Sequence, residues 1–484
     1  MTERPPAQTL LPLALCETPP GLLVALGQEG IAVRDWTQHD DAPIVLFDSK
    51  NACSRQARRA AKPGAHWIDV DALRTSIDPM RCLLDTRSCW KCWNVEAGFV
   101  RERVARIEKS TMRRAIVEFV RGEVLVSGGL WLRLSPIPWP YQGVFNFRVD
   151  LDEHAIEDYR AFAQARTPLE DATTHFVSTA AYGTCASVMD DLARFDTQSH
   201  GHYHHVARDA EFNLRNLTRA HEALARSGIR AEGFAAPGGR WNPGLDSALE
   251  TLGYQYSSDF QLHCDDWPAF PWLGERFSRV LQLPIHPVCE GIFLEAGLND
   301  HDQIARYYTE ALRSKIAAGQ PAFLYGHPER RLARMPQVFT ALAAELRRHS
   351  AIWRTTLTQF SRWWHKRNAQ RWSASWLNPG VIVVDFEGDP TSLGLALEID
   401  NGTHTARFPV SGRRVTLEVR QLTMKKKLRF DAPTGFASGP HGSWNQWIKD
   451  ALDWEKTIPP QELPTRTITA RLKKRLRIWQ ERKS

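Results

Sequence analysis

Between Val144 and Tyr325 the chain repeats one pattern: a short strand-forming run, then an amphipathic helical stretch. Val144 to Glu153 opens as a strand. Asp171–Thr179, Arg230–Ala236, Tyr254–Phe260, Val280–Ile285 and Pro321–Tyr325 read as further strands. Helices are predicted over Asp209–Ser227, closed by Gly228, over Leu245–Leu252, closed by Gly253, and over Asp302–Ala318. Strands that alternate with helices in this way fold into a barrel or a parallel sheet, because a helix must carry the chain back between parallel neighbours. In a barrel the carboxyl ends of all strands share one mouth. Asp150, Asp152, His200, His204, Arg240, Asp259 and His327 all fall at or just after such ends.

Two of these positions are chemically demanding. Asp150 and Asp152 are two apart on a strand, so they point to the same side. A carboxylate pair at the end of a buried strand is costly unless a cation or hydrogen bonds hold it. The stretch Ser199-His200-Gly201-His202-Tyr203-His204-His205 has four histidines in six residues, of 17 in the chain. His200 and His204 are four apart, which on a helical turn puts both rings on one face, with Ser199 as its cap. Neutral imidazole is a common ligand of zinc and related divalent metals. The competing reading is a solvated, histidine-rich loop.

Taken in order, these stretches resemble the polysaccharide deacetylase family, carbohydrate esterase family four, over about residues 140–365. Asp150-Leu151-Asp152 matches the family's spaced aspartate pair, and His200-Gly-His-Tyr-His204 matches its second motif with Gly201 in place of the usual hydroxyl residue. Phe234-Ala-Ala-Pro237-Gly238 keeps the proline of the third motif but has Ala235 where an arginine is usual, and Arg240 is the expected replacement for that charge. Leu324-Tyr-Gly-His327-Pro resembles the final motif with one extra residue. The resemblance implies an α/β fold with an irregular (β/α) barrel. It also implies a divalent metal, zinc with cobalt or nickel as alternatives, on Asp152, His200 and His204. Three protein ligands leave one position open, as in catalytic sites. Asp150 is the implied base and His327 the implied acid. The Gly238 amide is the implied oxyanion donor. Gly238, Arg240, Trp241, Asp259 and Tyr203 are the expected substrate-binding residues. Tyr203, Trp241 and Trp267 are candidates for stacking on sugar rings, with plain packing as the alternative. His154, His175, His202, His205, His263 and His286 are expected on the rim or in the core.

The flanks carry no such motif. Residues 1–135 read as a separate α/β domain, with strands over Gly21–Leu26 and Pro43–Asp48, a helix over Ser54–Ala61, a helix over Phe99–Arg121, and a strand pair turning at Gly128-Gly129. Asp48, Asp69 and Asp71 sit near strand ends, where caps are commoner than sites. Cys82, Cys89 and Cys92 are a weak zinc signal that would need Cys53 or His66. Residues 140–370 are the expected barrel. Residues 376–460 read as a β-rich accessory domain, a small β-sandwich, with a hairpin turn at Asn401-Gly402 and a basic run at Lys425–Lys427. Residues 461–484 read as a basic amphipathic helix with Ile468, Leu472, Leu476 and Trp479 on one side, suited to an anionic membrane surface or to docking on its own protein.

A net charge of +7 over 484 residues, 62 basic against 55 acidic, does not argue for a nucleic-acid partner. No run of about 18 apolar residues exists to span a membrane. Leu10–Cys16 is short, is broken by Pro12 and lacks a basic lead, so no signal peptide is expected and the chain is placed in the cytoplasm, at most peripheral to the inner membrane. The expected function is metal-dependent deacetylation of an amino-sugar polysaccharide or glycoconjugate of the bacterial envelope. The alternatives are a deformylase or amidohydrolase of the same fold on a lipid-linked sugar, and a non-catalytic glycan-binding protein.

Overall fold

A computed structural model describes residues 9–38, 42–61, 63–75, 78–84, 88–95, 98–105, 109–259, 267–295, 297–378, 380–418, 436–437 and 468–481. His263 and Lys425–Lys427 lie outside them, as do the side chains of Cys89 and Cys92. The chain forms two compact units.

The larger unit holds Gly143–Ser361. Its strands are β1 (Gly143–Leu151), β2 (Thr173–Val177), β3 (Asp196–Ser199), β4 (Gly233–Ala235), β5 (Tyr256–Ser258), β6 (Leu281–Gln282), β7 (Ala322–Gly326) and β8 (Ile352–Arg354). They form one parallel sheet in the order β6-β5-β4-β3-β2-β1-β7, and β8 pairs with the start of β1. Beyond β6 the chain runs on until His286 N donates to Phe323 O of β7, at 2.7 Å. That bond brings the two sheet edges together, so the sheet curls round as an irregular (β/α) barrel of the expected α/β class.

β1 shows how the sequence builds both layers. Phe145, Phe147, Val149 and Leu151 belong to the apolar cluster that includes Tyr159, Phe162, Tyr308 and Phe339 from the covering helices. The alternate residues Asn146, Arg148 and Asp150 are equally buried but polar; Asn146 and Arg148 reach across to other strands, and Asp150 pairs with Arg148 of its own strand. Asn146 donates to Thr174 Oγ1 of β2 at 3.1 Å, and Arg148 reaches Ser258 of β5. Period-two alternation therefore puts apolar residues under the helices and a polar ladder on the other face, ending in the acid pair.

The second unit joins residues 1–85, 107–142 and 362–429. Here the layout differs from two separate flanking domains. Strand Thr9–Leu11 pairs antiparallel with Trp372–Asn378, and Trp131–Leu134 pairs with Ala396–Asp400. Edge strands of both segments complete each other's sheets, which neither could do alone. The expected strand over Gly21–Leu26 is the helix Pro20–Glu29. Proline starts it, Leu22, Ala25 and Leu26 are buried on one side, and Gly30 at φ 72° ends it. The helix expected over Phe99–Arg121 is instead a strand, Gly98–Ala105, laddered on Ser88–Val95 within the segment 86–106 of the larger unit, followed by helix Lys109–Val126 of the second unit. Gly128 and Gly129 close that helix, donating to Leu125 O and Val124 O, instead of turning a strand pair. Asp48 pairs with Arg74 at 2.7 Å and Asp69 accepts from Ser49 N and Asp71 N, so these strand-end acids are caps and ion pairs.

Candidate active site

β1 ends at Leu151, and Asp152 follows as the next residue of the polar series. β3 ends at Ser199, and His200 starts the following loop. His200 and His204 meet on a loop, not on the expected helical turn. Gly201 takes φ 87°, where a Cβ would lie 2.8 Å from Tyr203 O and 3.1 Å from Asn216 Nδ2. Only glycine fits that backbone, which explains its presence where a hydroxyl residue was expected. Ser199 Oγ accepts from Gly201 N at 3.2 Å, and the Asn216 side chain ties Tyr203 N and His205 O.

The loop aims both rings at Asp152. Asp152 Oδ1 lies 3.1 Å from His200 Nε2 and 3.3 Å from His204 Nε2. The three ligand atoms all fall within 4.8 Å of one another. His200 Nδ1 lies 2.7 Å from Ala235 O, which makes Nδ1 the donor and turns the lone pair of the neutral ring's Nε2 toward Asp152. Asp152 Oδ1 is buried with no hydrogen bond to satisfy it. Electron-rich atoms converging on a buried carboxylate oxygen fit a cation, and two imidazoles with one carboxylate suit zinc and its neighbours.

Asp150 lies deeper and is held by Arg148. Arg148 Nε donates to Oδ1 at 2.6 Å and Nη2 to Oδ2 at 2.5 Å, while Nη1 donates to Ser258 O at 2.8 Å. Burial alone would raise the Asp150 pKa, but the charge and hydrogen bonds of Arg148 hold it below the ordinary carboxylate value. The guanidinium beside Asp150 is therefore that of Arg148, not the expected Arg240. The Arg240 side chain instead runs beside Gly238. Gly238 and Gly239 both have φ 61°, and Asp259 fixes the loop before them by accepting from Ala236 N at 3.1 Å. Burial pushes the Asp259 carboxyl up to about 7.

His327 follows β7. Its Nε2 lies 3.8 Å from Asp152 Oδ2, and its Nδ1 lies 2.8 Å from Glu290 Oε1. Glu290 is fully buried and also accepts from His327 N at 3.0 Å and from Tyr308 Oη at 3.1 Å. Burial would lower the His327 pKa, yet Glu290 and Asp152 together hold it well above the ordinary value. Reasoning on the sequence missed Arg148, Glu290 and Glu329. Glu329 accepts from Tyr182 Oη at 3.0 Å and Glu153 N at 3.4 Å, tying the loop after β7 to the loop that bears Asp152.

Other expected contacts lie elsewhere. Tyr203 is buried against Ala207 and Phe212, and Trp241 and Trp267 are buried as well, so none presents an open face for a sugar ring. Asp259 is fully buried and engaged with Ala236 N and Ser257 Oγ, which makes it a strut of the site rather than a surface for substrate. His175 is buried in the core, His286 bonds Tyr307 Oη at 2.8 Å, His205 is buried edge-on to Phe212, and His202 and His154 bond Thr179 Oγ1 and Ala181 O of the short helix Thr179–Tyr182.

No family model and no curated protein matches the sequence. Among solved structures the chain is similar to a protein from Mycobacterium smegmatis named as a polysaccharide deacetylase, with 21% identity and a TM-score of 0.39 over 48% of this chain and 94% of that one. A protein of the same description from Pseudomonas aeruginosa PAO1 gives 18% and 0.40 over 47% and 93%. A family 4 carbohydrate esterase from Streptomyces lividans, solved with acetate, gives 15% and 0.30 over 44% and 91%. Likeness at this level leaves the chemistry to be read from this chain's own residues.

Proposed function

We propose that this chain is a divalent-metal-dependent hydrolase of the polysaccharide deacetylase type. It removes N-acetyl or another acyl group from an amino sugar of an envelope polysaccharide or glycoconjugate. The observation that carries this reading is the convergence of Asp152, His200 and His204, with Asp150 on Arg148 and His327 on Glu290 beside them. Asp152, His200 and His204 would hold a divalent cation, zinc above cobalt or nickel, which would supply Lewis acidity for an acyl carbonyl and a water molecule.

The side chains do the rest. Asp150, kept ionised by Arg148, takes the proton of the attacking water. The Pro237-Gly238-Gly239 turn, anchored through Ala236 and Asp259, offers the Gly238 amide to the carbonyl oxygen. His327 is anchored at Nδ1, so its Nε2 faces the site and gives its proton to the leaving nitrogen as the carbon–nitrogen bond breaks. One amide and one water become a carboxylic acid and an amine. Glu290 acts through His327 by orienting it and keeping it protonated. Glu290→Gln is expected to lower kcat by about 10–100-fold, the range for a lost orienting partner. Because His327 works protonated and Glu290 raises its pKa, the alkaline limb of the rate–pH profile moves to lower pH in this variant. Kinetics across pH check both effects.

A second reading keeps the same chemistry on a lipid-linked sugar, with formyl as the acyl group. The exposed apolar residues of the basic helix Ile468–Glu481 favour it. The test is release of acetate or formate from a panel of N-acylated amino sugars, free, polymeric and lipid-linked, with added zinc, cobalt or nickel. Acetate release supports the first reading and formate release the second. Absence of both, with metal bound, rejects hydrolysis.

A further inference from the structure

We propose that helix Ile468–Glu481 is a membrane-docking element that lies on an anionic lipid bilayer. The proposal does not depend on the catalytic reading. The helix has 14 residues, which makes it about 21 Å long. Ile468, Leu472, Leu476 and Trp479 are 73%, 55%, 40% and 54% exposed, and spacings of four, four and three put them on one side. They make up four of the large apolar side chains exposed among the described residues, the others being Val126, Trp139 and Leu377. So much exposed apolar surface on one short helix marks an interaction surface.

The charge identifies the partner. The helix carries Arg471, Lys473, Lys474, Arg475 and Arg477 against Glu481. By position on the helix, Arg471 and Arg475 flank the apolar stripe, and both are exposed. A second copy of the same helix would bring five like charges against five, which disfavours self-pairing. A nucleic acid would take the charges and leave the apolar stripe in water. An anionic bilayer satisfies both at once, with the apolar side in the headgroup boundary and the basic side chains among the phosphates. At 14 residues with five basic side chains this helix is too short and too charged to cross a bilayer, so it lies along the surface.

Flotation of the full chain with vesicles tests this, using phosphatidylcholine alone and phosphatidylcholine with phosphatidylglycerol, at about 0.1 M and about 0.5 M salt. The full chain is expected to float with the phosphatidylglycerol vesicles at low salt only. The full-length variants Leu472→Glu/Leu476→Glu and Arg471→Glu/Arg475→Glu are each expected to lower the bound-to-free ratio by at least about tenfold. Both pairs are solvent-exposed, and unchanged circular dichroism and melting temperature show that the fold is kept. Equal flotation of variants and parent overturns the proposal, as does binding to both vesicle types alike. A mass that doubles with concentration, and reverts in the leucine variant without any flotation, assigns the stripe to a second copy. Binding to a homopolymeric RNA that survives the leucine changes assigns the helix to nucleic acid.

Discussion

Arg148→Met is expected to cost about 10²–10⁴-fold in kcat, the loss typical of a disabled general base, although Arg148 itself donates no proton to substrate. The cause is electrostatic. Both oxygens of Asp150 are bonded to one guanidinium that is 2% exposed. Removing it leaves a buried carboxylate without its counter-ion, and such a group takes up a proton rather than stay charged. The base works ionised, and Arg148 holds its pKa down, so without Arg148 the acid limb of the rate–pH profile moves upward. Breaking a buried pair from one side costs about 3–5 kcal/mol, so the melting temperature falls as well. Arg148→Lys keeps the charge but loses the fork that reaches both oxygens and Ser258, and it is expected to fall between the two. Steady-state kinetics across pH, with a thermal melt of each variant, decide this. An unchanged acid limb in Arg148→Met rejects the role given to the pair.

The second large effect separates the two aspartates. Asp150 bonds Arg148 and Asp152 faces the two imidazoles, so the same substitution has opposite consequences at the two positions. Asp150→Asn is expected to bind metal normally and lose about 10²–10⁴-fold in kcat. Asp152→Asn is expected to bind metal weakly, with turnover partly restored by excess metal. If Asp150→Asn loses the metal while Asp152→Asn keeps it, the roles are reversed. If Asp150→Asn keeps full activity, another base operates.

Much of this arrangement was legible in the sequence because it obeys short periods. Strand alternation put Asp150 and Asp152 on one side, and strand and helix succession put the histidines and His327 at one mouth. Arg148 obeys the same period, two residues before Asp150, and was legible in principle. The missing arginine drew attention to Arg240 instead, which is closer to Pro237 along the chain but lies beside Gly238. Glu290 had no such signal. It reaches His327 across 37 residues, in the segment that follows the junction of His286 with Phe323. The helix Pro20–Glu29 was hidden because its apolar run is too short to distinguish a buried strand from a buried helix, and its proline and Gly30 were the deciding marks. The sharing of sheets between the two flanks could not be seen in either flank alone, since each edge strand finds its partner some 260 to 370 residues away.

The convergence of Asp152, His200 and His204 on one cation is tested most directly by elemental analysis of the purified full chain beside His200→Ala and His204→Ala. The expected result is about one equivalent of zinc, cobalt or nickel in the parent and little in either variant, since a three-ligand site that loses one imidazole binds far more weakly. Equal metal content in all three proteins would contradict it.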